Sequence, residues 1–570
     1  MTPLFAAASP ALLRRPAGTR TTWCVVASGL LLTATFGLLS DGAHHDDDLT
    51  HFLMARWARW FPGYLLHLWG RPGFTLPVSL VAWIGSPALG WHLARLLSAV
   101  VTAASALLAA RLAKCLGLKH PWLAAVFCYL QPLNTLLACT TLTENFAAFY
   151  LIAAVVLLHD GRLRQASLLF SLVLVSRHET LVWWPIWVVA LAVGGRGRTT
   201  PGLRLQAVLL SLWAPAAHNL LFKLAYDRWP VAVFLQPHGS TEYPPTGLLG
   251  YLPAALQAIP PAIFGLAILG GVVLARRRVY LPAVLAGAFF LTHLLIKALG
   301  VFASGGYGRF MVAVAPLAAV LAAAGAAELR ARLRELRPAT GCWLTLAGVW
   351  LLGLLAFELE RRAGRIPLPD GPLLLLVRGV AAGMAAILLL AAVAGRRRLG
   401  RATAGGALVL LAAATLAQGV LLVRPLRLGP GPACVREAAD WLRAAGLADG
   451  PIFAVNPWFA YYLDLVENPR AHKGPRLLAS MPVGTVFVWD STYGPSDFHR
   501  LPLDRYLADP AYRPLRRFGP PPDRVGGPEL VLLQKTQPTP LPPDDTMPYP
   551  PNPMAELRPV EGVFYLRPGG

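Results

Sequence analysis

Residues 20–51 read RTTWCVVASGLLLTATFGLLSDGAHHDDDLTH. Within this stretch, residues 22–40 form an apolar run long enough to cross the roughly 30 Å hydrocarbon core of a bilayer. Arg14, Arg15 and Arg20 precede the run, and an acidic loop follows it. The run exceeds the apolar core of a secretory signal peptide, which has about 7–15 residues. We therefore expect an uncleaved first membrane helix.

The composition of the whole chain has the same character. Its 570 residues are 55% hydrophobic and 14% charged, whereas a soluble globular chain has about 25% charged residues. The 51 Lys and Arg exceed the 29 Asp and Glu, which gives a net charge of +22. The basic residues form small clusters between apolar runs instead of one solvated face, which argues against nucleic acid as the partner. The six scattered cysteines argue against a disulfide scaffold.

Apolar segments recur as far as residue 423 and predict a polytopic α-helical membrane protein with about thirteen transmembrane helices. The segments are 22–40, 88–110, 121–139, 144–159, 165–176, 180–194, 205–222, 254–274, 279–300, 309–327, 340–357, 373–394 and 402–423. Every second connecting loop is basic, and the positive-inside rule makes these loops and the N-terminus cytoplasmic. The first acidic loop, 41–87, and everything after Val423 are then exoplasmic.

Three domains follow from the pattern. Residues 1–423 form the transmembrane domain. Residues 424–536 contain three short apolar runs that read as buried strands, separated by helical turns, and predict a small exoplasmic α/β domain. The strands are expected at 451–455, 483–489 and 530–533. Residues 537–570 are rich in proline and predict an extended tail.

The acidic loop offers two kinds of chemistry. Asp46, Asp47 and Asp48 lie just outside the first membrane helix, where a carboxylate in a partly desolvated cavity can serve as a general base. The alternative is a helix N-terminus whose acids favour the helix dipole. The loop also supplies the metal-ligand types of His44, His45 and His51 beside the three acids. A divalent cation held there is weighed against a solvated polar loop, and no other cofactor is indicated.

Charged residues at membrane depth mark further candidate positions. Arg71, in the run Gly-Arg-Pro-Gly, is suited to present a fixed cation to a phosphate, or else forms a plain turn with its charge among lipid headgroups. Arg177-His178-Glu179 separates two short apolar segments, either as a functional group or as a local ion pair that stabilises a helix break. Such a break points to a cavity. We expect Lys297 and His293 to extend outward from the end of their segment.

Together, the acidic cluster, the aromatic stretch after it and Gly-Arg-Pro-Gly-Phe-Thr-Leu-Pro resemble the first exoplasmic loop of GT-C type glycosyltransferases. The most similar branch contains protein O-mannosyltransferases and lipid A aminoarabinose transferases. Other stretches resemble this branch in the same order along the chain: Leu142-Thr143-Glu144-Asn145, Ser176-Arg177-His178-Glu179, and Gly306-Tyr307-Gly308-Arg309-Phe310 with Pro316. Gly73 replaces the second proline of the family loop, and three Asp replace its Asp-Glu pair.

The resemblance implies a membrane glycosyltransferase that takes a sugar from a polyprenyl-phosphate carrier on the exoplasmic face. The acceptor would be a lipid, a glycan or a protein, and the displacement would invert the anomeric centre. Asp47 would be the base, followed by Asp46 and Asp48. The substrate-binding residues implied are Arg71, Arg177 and Arg309 for the phosphate, with Glu144, Glu179 and Tyr307 around them.

Two other function classes remain open on the sequence. A polytopic transporter or flippase of a lipid-linked substrate would carry ionisable residues in mid-helix and repeat-related halves. A non-catalytic envelope scaffold would use the exoplasmic domain to bind a partner. In each case the protein is expected to be integral to a membrane, in contact with lipids, and the bacterial inner membrane is the expected location.

Overall fold

The structure is a computed structural model. It describes residues 20–193, 199–231, 251–300, 307–334, 422–469, 473–496, 499–519 and 529–542, with isolated residues between 347 and 419 and the pair 565–566. The predicted membrane segments 340–357, 373–394 and 402–423 lie almost wholly outside the described residues. So does most of the predicted tail, 537–570.

Between residues 20 and 334, the described elements are helical. They are α1 (Arg20–Leu38), α2 (Asp46–Trp57), α3 (Pro72–Ala82), α4 (Pro87–Cys115), α5 (Trp122–Tyr129), α6 (Pro132–Leu137), α7 (Glu144–His159), α8 (Leu163–Ser176), α9 (Trp183–Val193), α10 (Pro201–Leu210), α11 (Trp213–Tyr226), α12 (Leu252–Ala258), α13 (Pro261–Arg276), α14 (Leu281–Leu299) and α15 (Ala315–Arg334). Three 3₁₀ turns accompany them: Pro62–Leu66, His178–Val182 and Gly308–Val314.

Several of these helices are long and apolar enough to cross a membrane. In the part of the chain that the structure describes there are four: α1, α4, α14 and the continuous stretch Gly308–Ala331. A fifth results if α10 and α11, which meet at a bend of 42°, form one span. Shorter apolar helices, among them α3, α7, α8 and α13, lie beside them. The chain is thus a polytopic helical membrane protein, and the count of about thirteen spans stays a prediction.

Close helix packing depends on small residues. On α13, a Cβ added at Gly270 would lie 1.8 Å from the carbonyl oxygen of Leu321 on α15. In the opposite direction, a Cβ at Gly325 would lie 2.1 Å from the carbonyl oxygen of Leu266. Because both distances are far shorter than any real Cβ contact, the two backbones can approach this closely only with glycine at these positions.

Two predicted segments are interrupted in the structure. The segment 121–139 is divided into α5 and α6 where Leu130 and Gln131 leave the helix. The predicted break at 177–179 is confirmed: α8 ends at Ser176, Arg177 is extended (φ −153°, ψ 128°), and a 3₁₀ turn leads into α9. Hence Arg177 is placed on irregular backbone between two apolar helices.

The C-terminal part is an α/β unit. Its elements are α16 (Pro430–Ala444), β1 (Ile452–Ala454), α17 (Pro457–Tyr462), β2 (Val466–Glu467), α18 (Pro475–Ser480), β3 (Val486–Asp490), α19 (Leu503–Ala508), β4 (Tyr512–Phe518), β5 (Leu530–Lys535) and β6 (Tyr565–Leu566). One sheet has the order β1-β3-β5-β4, with β1 parallel to β3 and the other pairs antiparallel; β2 pairs with β6. The three predicted strands are present, whereas β4 was not predicted.

This α/β unit contacts the membrane part at α2 and α4. Trp57 donates its indole N–H to the carbonyl oxygen of Leu465 at 2.9 Å, and Arg56 pairs with Asp464 at 3.3 Å. The ring of Trp458 meets the ring of Trp91 edge to face, with centroids 5.8 Å apart. The unit therefore lies directly over the loop that contains the three predicted acids.

Candidate active site

The three predicted acids form the first turn of α2. His45 has an extended backbone and caps the helix, because its Nδ1 accepts a hydrogen bond from the backbone N–H of Asp47 at 3.3 Å. Acids in a first helical turn are stabilised by the positive end of the helix dipole. The alternative that the three acids form a helix N-terminus is therefore correct as far as their position is concerned. The three carboxylates, however, have three different sets of partners.

Asp48 is committed to the interior. It is fully buried, and its Oδ1 accepts from the backbone N–H of Thr141 at 2.6 Å and from the Thr141 hydroxyl at 2.5 Å. Its Oδ2 accepts from the backbone N–H of His44 at 3.3 Å. Because both oxygens are used by the protein, Asp48 joins the acidic loop to the segment that precedes α7.

Asp46 forms hydrogen bonds with the C-terminal unit. Its Oδ1 accepts from the indole N–H of Trp458 at 3.1 Å, and its Oδ2 accepts from the Tyr493 hydroxyl. These contacts span more than 400 positions in sequence. Asp46, which immediately precedes Asp47, thus links the α/β unit to the first turn of α2.

Asp47 has the most reactive surroundings of the three acids. It forms an ion pair with Arg309, lies 3.4 Å from Nδ1 of His45, and is 18% exposed. Burial alone would raise its pKa, but the hydrogen bond with His45 and the charge of Arg309 lower the pKa of Asp47 well below its ordinary value. When the ring is protonated, Nδ1 of His45 donates to the carboxylate of Asp47 instead of accepting from its backbone N–H, and this hydrogen bond raises the pKa of His45. Asp47 is therefore ionised and still partly accessible.

A buried ionic network continues from Arg309. Arg177, at the break after α8, donates to Oε1 of Glu144 at 2.5 Å and to Oε1 of Glu179 at 2.7 Å. The same oxygen of Glu144, at the start of α7, lies 3.5 Å from Nε of Arg309. The structure thus brings Asp47 together with four other predicted site residues, which are Glu144, Arg177, Glu179 and Arg309. These five residues come from four separate stretches of the sequence.

Arg71 differs from the other two arginines in having no carboxylate partner. Within the described residues, its Nη1 donates to the Thr143 hydroxyl at 2.7 Å, and its buried Nε has no hydrogen-bond partner. The residue is 7% exposed and has a positive φ of 63° at the start of α3. Desolvation first, and then the charge of Arg177, lower the pKa of Arg71 to about 10. Arg71 is therefore a buried cation without a carboxylate partner in the part of the chain that the structure describes.

Several other polar atoms here also lack partners within the described ranges. Oε2 of Glu144 and both ring nitrogens of His293 are buried without a hydrogen bond. The expectation that His293 extends outward is wrong: it is 2% exposed, because α14 directs it between Phe289 and Phe310, at centroid distances of 4.5 and 5.3 Å. Since buried polar atoms are normally paired, these groups mark a place where a polar ligand fits.

The predicted histidine metal site in the loop does not form. His51 is buried in a stack with Trp69, at a centroid distance of 5.7 Å, and against Phe74, whereas His45 is exposed and caps α2. Over the described ranges, the one cluster of three His, Cys, Asp or Glu ligand atoms within 4.8 Å of one another is found elsewhere, at Cys115, His159 and Asp160. The aromatic environment of His51 explains why the three histidines are not gathered.

Tyr307, predicted to bind substrate, lies beside the network. Its ring is 5.0 Å from the guanidinium of Arg309 and 6.1 Å, edge to face, from His45. Phe310 was not predicted, yet its ring is 4.2 Å from the guanidinium of Arg177. These aromatic faces stabilise the two arginines by cation–π attraction and form one wall of the site.

No protein-family model and no curated protein matches the chain, but solved structures do. ArnT from Cupriavidus metallidurans in the apo state superimposes with a TM-score of 0.54 at 15% identity, over 90% of this chain and 97% of that one. The same enzyme bound to undecaprenyl phosphate superimposes with a TM-score of 0.50 at 16% identity, over 78% and 85%. The chain has the GT-C membrane glycosyltransferase fold.

At this level of identity the likeness establishes the GT-C fold and no residue roles. The fold likeness extends over most of both chains, which confirms the predicted resemblance in architecture. Thr141, Thr143, Trp458 and Tyr493 were missed by the sequence reasoning. The two threonines lie within three residues of Glu144, so their closeness in sequence to a predicted site residue could have indicated them. Nothing in the sequence around Trp458 or Tyr493 indicates their contacts with Asp46.

Proposed function

We propose that the protein is a glycosyltransferase that moves a sugar from a polyprenyl-phosphate carrier to a lipid, glycan or protein acceptor. The GT-C fold supports this class of reaction, and the undecaprenyl phosphate bound by the ArnT neighbour is the model for the carrier. The reaction would take place on the exoplasmic face of a membrane, with the N-terminus cytoplasmic. The bacterial inner membrane is the proposed location.

The observation that carries the proposal is the unpaired burial of Arg71. Moving a charge out of water costs several kcal/mol unless an opposite charge compensates for it, and among the described residues no carboxylate lies within ion-pair distance of Arg71. A phosphate monoester or diester offers the missing negative charge and can accept from Nε and the Nη groups together. Arg71 is thus proposed as the principal phosphate ligand of the carrier.

The proposed displacement has one step. The acceptor hydroxyl or amine attacks the anomeric carbon, the bond from that carbon to the phosphate oxygen breaks, and the configuration inverts. The acceptor proton passes to Asp47, and polyprenyl phosphate leaves with one more negative charge than it had in the donor. Arg71 stabilises this added charge, which is the electrostatic contribution expected of a preorganised cation.

Asp47 is the proposed base because its partners are exchangeable. His45 and Arg309 together hold Asp47 ionised, which makes it a weak proton acceptor. A bound phosphate would compete with Asp47 for the same guanidinium, and loss of that charge would raise the pKa of Asp47 towards its ordinary value. Asp46 and Asp48, which have fixed protein partners, are proposed as positioning residues.

The remaining network residues are proposed to keep the arginines in place. Arg177 is held by Glu144 and Glu179 in a rigid triad, so its charge is largely neutralised within the protein. Tyr307 and His293 would contact the polar part of the donor. No divalent cation is required by this scheme, because Arg71 and Arg309 supply the positive charge.

The test is a transfer assay with the purified full-length protein, polyprenyl-phosphate sugars and candidate acceptors, read by mass spectrometry. Sugar transfer by the wild type and its loss in Asp47→Asn are expected. Asp440→Asn is the control, because Asp440 is an exposed acid on α16 paired with Arg443. Flux of the intact carrier across sealed vesicles without covalent change would instead support a flippase, and undiminished transfer by Asp47→Asn would refute the base assignment.

A further inference from the structure

A second group of chemically reactive side chains lies away from the candidate active site. Cys115 is the last residue of α4, His159 is the last residue of α7, and Asp160 follows it. The two helices pack against each other and end on the same side. One ligand atom from each of the three side chains lies within 4.8 Å of the others.

Two atoms of this group are buried without a partner. Nδ1 of His159 and Oδ1 of Asp160 are hidden from solvent and make no hydrogen bond. The other oxygen of Asp160 pairs with Arg111 at 2.6 Å, and the Asp160 side chain is 6% exposed. Two unsatisfied groups within reach of one thiol are costly in an apolar environment, and a cation bound between them would satisfy both.

The ligand types indicate which cation fits. A thiolate favours zinc over magnesium or calcium, which prefer oxygen ligands alone. Zinc binds Cys, His and carboxylate groups at about 2.0–2.3 Å in tetrahedral geometry, and three side chains with one water complete such a site. Both helices also present their C-terminal ends here, and the negative end of a helix dipole favours a cation.

We propose that Cys115, His159 and Asp160 bind one zinc ion that joins the C-terminal ends of α4 and α7. On binding, the Cys115 thiol loses its proton to solvent as the zinc–sulfur bond forms, and water occupies the fourth position. Arg111 holds the carboxylate of Asp160 in place from outside. The surrounding basic residues, among them Lys114 and Arg162, put the site on the face that the charge pattern predicts to be cytoplasmic, opposite the acidic loop.

The proposed role is structural. α4 and α7 both reach the candidate active site at their other ends, since Glu144 begins α7 and Trp91, near the start of α4, contacts the C-terminal unit. A metal that fixes one end of this helix pair limits its sliding. The zinc site does not depend on the proposed transfer reaction, so the two proposals are tested separately.

The experiment uses the full-length protein in detergent, stripped of metal with a chelator. Zn²⁺ alone is added, excess is removed, and bound metal is measured by mass spectrometry; about one ion per chain is expected. Co²⁺ is then substituted, and a cobalt–thiolate absorption band is expected in the wild type. The band should be lost in Cys115→Ser, kept in the control Cys434→Ser, and the affinity should fall about tenfold or more in Asp160→Asn.

A measurement on the unsubstituted chain avoids the risk that a variant fails to fold. Maleimide labelling of Cys115, followed by peptide mass spectrometry, should slow about tenfold or more when Zn²⁺ is present, while labelling of the partly exposed Cys434 in the C-terminal unit should be unchanged. An absent cobalt–thiolate band in the wild type, a band that persists in Cys115→Ser, or equal labelling of Cys115 with and without Zn²⁺ overturns the proposal.

Discussion

Replacing Arg71 separates ligand binding from stability. In Arg71→Gln the side chain stays polar but is shorter and has no charge, so it loses the contact from Nη1 to the Thr143 hydroxyl. Hydrogen bonds between a charged donor and an acceptor contribute about 1.5–3 kcal/mol each. Because every 1.4 kcal/mol corresponds to about a factor of ten in affinity, we expect polyprenyl phosphate to bind about 10- to 150-fold more weakly.

The same variant is expected to be at least as stable as the wild type. Arg71 is buried without an anionic partner among the described residues, so neutralising it removes a desolvated charge instead of an ion pair. We expect the ligand-free variant to unfold at the wild-type temperature or above it. Arg177→Gln is the matched comparison, because it leaves Glu179 without its cation and leaves Glu144 with Arg309 at 3.5 Å alone. Breaking a buried pair in this way costs about 3–5 kcal/mol.

Two assays test the contrast. Binding of polyprenyl phosphate is measured by microscale thermophoresis on purified protein, and unfolding is followed by intrinsic fluorescence during heating, with and without ligand. Arg71→Gln should reduce the thermal shift that a given ligand concentration produces and leave the ligand-free transition intact. Unchanged affinity in Arg71→Gln, or a ligand-free transition lowered as far as in Arg177→Gln, would refute the assignment of Arg71 as an unpaired phosphate ligand.

Three further outcomes are expected. Asp47→Asn should lower turnover about 10²- to 10⁴-fold, while polyprenyl phosphate should bind at least as tightly as to the wild type, because the asparagine no longer competes with the phosphate for Arg309; a turnover loss that merely follows a binding loss would contradict the base assignment. Tyr493→Phe removes a hydrogen bond to the side chain of Asp46 and should destabilise the protein by about 1.5–3 kcal/mol, measured by chemical unfolding. Because the pKa of His45 is raised and that of Asp47 is lowered, the stability that their pairing provides should be present between about pH 4 and 6.5, lost as pH rises through the folded-state pKa of His45, and lost as pH falls through that of Asp47. Thermal unfolding of His45→Gln should therefore differ from wild type more at about pH 6 than at about pH 8, and a difference independent of pH would contradict the pairing.

The sequence predicts the helical membrane architecture because hydropathy and loop charge are local properties. The break at 177–179 was visible for the same reason: three polar residues interrupt an apolar run. The division of 121–139 into α5 and α6 was missed, because Gln131 and Asn134 lie in a stretch whose average hydropathy is high. There the polar side chains are satisfied by backbone carbonyl groups, Gln131 by Ala315 at 2.9 Å and Asn134 by Cys128 at 2.9 Å.

The candidate site could be predicted as a set of residues but not as an arrangement. Asp46, Asp47 and Asp48 are equivalent in sequence, and their different roles arise from partners far away along the chain. Tyr493, Arg309 and Thr141 respectively decide these roles. The position of His51 was mispredicted for a related reason, since Trp69 and Phe74 form its pocket only after the chain has folded back.

The three arginines of the site differ in how firmly the protein already holds their charges, and this difference orders their response to a ligand. Arg177 is bound by two carboxylates, so a phosphate gains little from it. Arg309 is shared between Asp47 and, at 3.5 Å, Glu144, so it can turn towards a phosphate only by releasing Asp47. Arg71 has no anion to release among the described residues. Under the proposed mechanism, an incoming phosphate would therefore pair with Arg71 first and would act on Asp47 through Arg309, which would couple carrier binding to the basicity of the group proposed to accept the proton.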